Sequence, residues 1–330
     1  MSALSTTSPA TASSPFRRLI IRHPLVAFFV LAFAGAWIVW LPLVLAQNGV
    51  GLLPYTIPEV GPYPLSYYFA ALSAITGPTL AAFTVTAVTA GKAGLRQLLR
   101  RYVLWRVGVQ WYLLVLVGLP LAQLVCSSVS LGVAPLTALI QKWPLIFTAY
   151  LPNVLIIVLA VQIWEETGWS GFALPNLQKH FGAVRACLVL GSLWALWHLP
   201  AFFVPGQIFD QKVGPTTMIV QMVLLIIFAI LIRIIMTWVF NKTMGSLLIA
   251  ILFHAALDAS NSGSDFITHL LSRSQVAGYG LGNFLAVVIG VVLILIFTRG
   301  RLSYKPGRGE PPAGVSQSTD VAQQTGTPMI

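Results

Sequence analysis

Eight stretches of this 330-residue chain are apolar for about twenty residues at a time, and short basic segments separate them. A run of that length crosses the ~30 Å hydrocarbon of a bilayer as a helix. Inside a bilayer an open sheet or a loop would leave backbone groups without partners. The spacing predicts helices over about 25–46, 66–90, 110–132, 144–175, 184–203, 216–240, from 246, and over 279–298. The fold class is therefore all-α: a polytopic membrane helical bundle with about eight transmembrane helices. Charged residues make up 8% of the chain, against about 25% in a soluble domain. The net charge of +11 does not indicate a nucleic-acid partner, because the Lys and Arg residues cluster between apolar runs, as in cytoplasmic loops. Cys126 and Cys187 lie inside apolar runs and imply neither a disulfide framework nor a cysteine metal site.

Charge placement also sets an expected orientation. With eight crossings, 15 of the 19 Lys and Arg residues fall on one side and 3 on the other, while Arg233 lies inside a run. The positive-inside rule then puts both termini in the cytoplasm. Residues 1–24 read as a disordered cytoplasmic tail, 25–298 as the membrane bundle with its motif core over 150–262, and 299–330 as a second disordered cytoplasmic tail. Gly49, Gly51, Pro54, Pro58 and Gly61 mark an outer loop, as do Pro205, Gly206, Asp210 and Lys212. Lys92, Arg96, Arg100, Arg101 and Arg106 have the spacing of an amphipathic interfacial helix on anionic lipid. Pro175 is expected to break the fourth helix.

Within the fourth run stand two adjacent carboxylates, Glu165 and Glu166, from a chain with only eight acidic residues. A carboxylate in hydrocarbon costs several kcal/mol or more unless it is paired, neutralised or facing water. Measured from the inner basic residues at ~1.5 Å per residue, Glu165, His198 and His254 lie ~21, ~20 and ~18 Å deep on three helices. Histidines with independent structural roles have no reason to share that level. His254 and Asp258 are i and i+4 and share a face. Glu165 and Glu166 are ~100° apart around their helix, so one can face a site while the other braces it. Two imidazoles and a carboxylate suit a divalent metal such as zinc, held by Glu165, His198 and His254 with Asp258 as a further ligand. They equally suit a general base beside an oxyanion stabiliser. His23, His180 and His269 lie near interfaces or in loops and are read as bland.

These residues resemble the CPBP family of intramembrane proteases, which includes eukaryotic CAAX prenyl protease 2 and bacterial bacteriocin-processing and immunity proteins. The family pattern is EExxxR, FxxxH, and HxxxN or HxxxD. Here the first motif reads Glu165, Glu166 and then Ser170 in place of Arg, the second Trp194 and His198, and the third His254 and Asp258. The resemblance covers roughly residues 65–262. It implies that Glu165 and His198 activate a water for peptide hydrolysis, and that His254 and Asp258 stabilise the oxyanion. It also implies a membrane-associated substrate, peptide or protein, of which a lipidated one is the eukaryotic precedent, and a bacterial cell membrane as the location.

Three functions are compatible with this pattern: an intramembrane endopeptidase, a proton-coupled transporter, and a non-catalytic membrane immunity or scaffold protein. A transporter built from inverted repeats would carry an acidic counterpart of the fourth helix in the first three, and none is present. The endopeptidase is the leading expectation, with Glu165, His198 and His254 converging on one cavity open to the cytosol. The absent motif Arg leaves Glu166 in need of a cation. Arg233 lies at the same ~14 Å depth as Ser170, and its guanidinium is the expected replacement.

Overall fold

The computed structural model describes residues 14–306, apart from 61–62, 205–206 and 208–213. Of the expected loop over Pro205 to Lys212 only Gln207 is described, and the far ends of both tails lie outside the described residues. The chain forms α1 (Pro15–Arg22), α2 (Pro24–Leu45), α3 (Leu65–Val103), α4 (Val109–Leu131), α5 (Ala134–Gln141), α6 (Ile146–Phe181), α7 (Ala183–Phe203), α8 (Pro215–Lys242), α9 (Leu247–Ala259), α10 (Asp265–Leu270) and α11 (Arg273–Thr298). A two-residue antiparallel ladder, Glu59–Val60 with Tyr63–Pro64, is the one sheet pairing among the described residues. The molecule is a multi-pass helical membrane bundle in which, among the described residues, seven helices are long and apolar enough to cross a bilayer.

The eighth expected crossing is α9, at 13 residues about 20 Å long. It is short because it is interior. It packs against α3, α4, α6 and α8, and nearly all its side chains are buried. A helix clothed in protein has no need to match the bilayer thickness. Around it α11 lies along α4, α8 along α7, and α2 along α3.

Three expectations are corrected. The fourth helix does not end at Pro175. α6 continues through that proline to Phe181 and stops at Gly182, whose φ of 76° is open to glycine. A wide π-helical turn, Trp169–Ala173, precedes Pro175 and makes room for a ring that would otherwise clash with the carbonyl four residues back. Wide turns likewise precede Pro120 and Pro152. Second, residues 15–22 are helical, with Ser14 capping through its side chain and Ile20 buried against the bundle. Third, the chain does not leave the bundle after residue 298: Leu302 is buried, and its carbonyl accepts from Asn241 Nδ2.

The basic segment after residue 91 is helical. α3 breaks at Gly91 (φ 57°, ψ −152°), a backbone conformation that only glycine adopts freely. Beyond it Lys92, Arg96 and Arg100 are exposed, while Arg101 turns inward to the carbonyl of Gly245 at 3.3 Å and lies over the Phe240 ring.

Candidate active site

α6 delivers both glutamates from a short regular segment, Ile163–Gly168, held between wide turns at Val158–Gln162 and Trp169–Ala173. Each wide turn rotates the helix beyond it, so together they set the direction in which Glu165 and Glu166 project. Gly168 lets α6 sit directly on α3: a Cβ there would come within 2.5–2.7 Å of Pro78, including its backbone. Thr79 Oγ1 donates to the Trp164 carbonyl, and the hydroxyls of Tyr102 and Thr167 hydrogen-bond across the same contact. α7, which carries His198, is pressed onto α8 at Gly191, where a Cβ would lie 2.7–2.8 Å from the Ile230 backbone. Cys187 Sγ adds a contact to Thr237 Oγ1 at 3.2 Å.

Glu166 is completely buried and fully partnered. Arg233 Nη2 donates to its Oε1 at 2.9 Å and Arg233 Nη1 to its Oε2 at 3.0 Å. His254 Nδ1 donates to Oε1 at 2.8 Å, and the Ser170 hydroxyl donates to Oε2. Arg233, 2% exposed, also donates to Ser170 Oγ at 3.2 Å. The guanidinium expected from its depth in the membrane is therefore in place, and Ser170 occupies part of the space the motif Arg would fill. A buried carboxylate with four donors and a bidentate cation meets the conditions under which such a charge is tolerated. Glu166 has no lone pair to spare for chemistry; it is the brace.

Glu165 is the other member of the pair. Its hydrogen bond comes from the indole of Trp194, Nε1 to Oε2 at 2.9 Å. His198 sits one turn beyond Trp194, and its Nδ1 is 2.9 Å from the Trp194 carbonyl. A carbonyl only accepts, so Nδ1 carries the hydrogen and Nε2 of the neutral ring offers a lone pair. In the same way the Glu166 carboxylate takes a hydrogen from His254 Nδ1 and leaves Nε2 as that ring's free position. Both imidazoles lie against the Trp194 ring, with centroids 4.4 Å away for His198 and 5.6 Å for His254. The Trp197 ring stands at 88° to His198 on another side. Asp258 does not pair with His254, its neighbour on α9. Its Oδ2 accepts from Gln162 Nε2 at 2.6 Å.

All five residues singled out by sequence thus meet in one cluster, and Arg233 joins them. Two members had no such reading. Gln162 is a polar residue one turn before Glu166 in an otherwise apolar run. Trp194 stands where the motif has Phe, but ten tryptophans make any one of them look like an interfacial anchor. The cluster has a buried side and an open side: Glu165, Glu166, Arg233 and His254 are buried, whereas Trp194, His198 and Asp258 are partly exposed. His23, His180 and His269 are exposed and lie outside it.

The expected metal ligands do not form a ligand set. Among the described residues, no three His, Cys, Asp or Glu side chains are arranged to hold a metal ion. The Trp194 indole lies against both imidazoles and binds Glu165.

Residues 147–260 match the family model of type II CAAX prenyl endopeptidases, Rce1-like. Over 111 residues the chain is 34% identical to CAAX prenyl protease 2 of Methanococcus maripaludis. That alignment takes in 32% of this chain and 38% of the relative, so the chain matches under two-fifths of the relative's length. The family match contains every member of the cluster, from Gln162 on α6 to Asp258 on α9. Over residues 147–260, then, the chain is similar to the Rce1-like type II CAAX prenyl endopeptidases.

Proposed function

We propose that this protein is an intramembrane endopeptidase of the CAAX type, which hydrolyses a peptide bond in a membrane-associated or lipid-tethered substrate. The observation that carries the reading is the division of labour between adjacent carboxylates. Glu166 is saturated by Arg233, His254 and Ser170, while Glu165 has one donor, the Trp194 indole, whose ring also packs on His198.

In this reading Glu165 and His198 Nε2 accept hydrogens from a water whose oxygen attacks the peptide carbonyl carbon. Negative charge then develops on the carbonyl oxygen. His254, held at Nδ1 by Glu166, turns Nε2 to that oxygen and donates when the ring is protonated. Asp258 donates only while it carries a proton on Oδ1, since an ionised carboxylate has no hydrogen to give. The proton taken from water passes to the leaving amine as the C–N bond breaks. A positioned general base contributes about 10²–10⁴-fold, and one oxyanion donor about 10²–10³-fold. The positive-inside pattern supports a site reached from the cytosolic face of the membrane.

Comparative proteomics of cells expressing the wild-type or the Glu165→Ala protein tests the reading. Peptides with new C-termini should appear only with wild type. Identical peptide sets in the two strains would contradict it.

A further inference from the structure

We propose that Trp194 is a positioning residue for Glu165, and that its indole N–H selects which carboxylate oxygen takes the proton from water. The proposal rests on the protease reading and adds a residue to it.

Two other indoles nearby spend their N–H on backbone carbonyls: Trp37 on that of Trp197 at 3.0 Å, and Trp197 on that of Ala32 at 3.2 Å. Those bonds tie α2 to α7. Trp194 instead addresses a buried carboxylate, at 2.9 Å on Oε2. Among the described residues no hydrogen bond reaches Glu165 Oε1. An indole N–H is a donor only, so Oε2 is committed as an acceptor and Oε1 is left for water.

The indole itself has little freedom. Its ring meets His198 edge-on at 4.4 Å and His254 at 5.6 Å, and the Arg233 guanidinium lies 5.9 Å from the ring centroid. One side chain therefore touches the base, both imidazoles and the cation that neutralises Glu166. Phenylalanine, the residue of the motif, would keep the ring contacts and lose the bond to Glu165. The N–H is thus what this chain adds at position 194.

The test uses the full-length protein in lipid nanodiscs and a dye-labelled farnesylated C-a-a-X peptide as the probe. Two replacements separate the N–H from the ring: Trp194→Phe, and Trp194 replaced by 3-benzothienylalanine, which keeps the indole shape with sulfur in place of N–H. Both should lower kcat by about 10- to 100-fold, the size of one hydrogen bond to a charged group, with KM within about twofold. Wild-type kcat in the benzothienylalanine protein would overturn the proposal, because ring volume alone would then suffice. A readout without turnover is the ¹⁵N–¹H indole resonance of Trp194, assigned by its loss in Trp194→Phe. It should shift when Glu165→Gln removes the carboxylate, and an unmoved resonance would overturn the contact. A shifted resonance in a protein that cleaves no peptide would count against the protease reading and leave the contact standing.

Discussion

Arg233 and Ser170 together do what a single motif arginine would do one turn after Glu166. The guanidinium reaches the carboxylate from α8, and the serine hydroxyl fills the gap on α6. Removing one partner of a buried ion pair costs about 3–5 kcal/mol, because the other charge is left uncompensated. Arg233→Gln should therefore lower stability by about 3 kcal/mol and cut cleavage at least tenfold, as Glu166 loses its hold on His254. Adding Ser170→Arg to that variant should restore both, read by thermal unfolding and peptide cleavage in detergent micelles. Wild-type behaviour in Arg233→Gln, or no rescue by Ser170→Arg, would show that the two positions do not serve one carboxylate. This pairing was legible in the sequence because a lone cation in an apolar helix needs an anion at its own depth. The partner of His254 was not. Asp258, at i+4 on the same helix, was the nearer choice along the chain, and only the approach of α6 gives His254 to Glu166 and Asp258 to Gln162.

Among the elements, α6 matters most, because two wide turns and a close contact with α3 aim its glutamates. Gly168 has no room for a methyl group against Pro78. Gly168→Ala should push α6 off α3, with an overpacking cost of about 1–3 kcal/mol. Glu165 and Glu166 lie within one turn, so cleavage should fall more than the loss of stability explains. Thermal unfolding and cleavage at a temperature where the variant is fully folded measure the two effects separately, and full activity there would contradict the aiming role of this contact. The kink at Gly91 could be read from sequence, since a glycine stands where an apolar run becomes a basic amphipathic one. Passage through Pro175 could not. Proline signals a break, and the wide turn that accommodates it leaves no mark on hydrophobic spacing. α1 was missed because eight residues are too few to be helical alone; it is held by the burial of Ile20.

In the bundle as a whole, long apolar helices surround a short buried one, and the polar cluster forms where α6, α7, α8 and α9 meet. The membrane class and all but one of the crossings were legible, because backbone satisfaction in hydrocarbon leaves few alternatives. The length of α9 was not, since a helix shielded by its neighbours obeys packing rather than bilayer thickness. On the proposed reading, Glu165 drives peptide hydrolysis inside the bundle while Glu166 braces it. The decisive assay incubates purified protein in nanodiscs with a farnesylated C-a-a-X peptide and reads the products by mass spectrometry. Wild type should release a C-terminal fragment, and Glu165→Ala should slow release by about 10²–10⁴-fold with its unfolding temperature retained. Equal cleavage by the two proteins, or none by wild type, would contradict that role for Glu165.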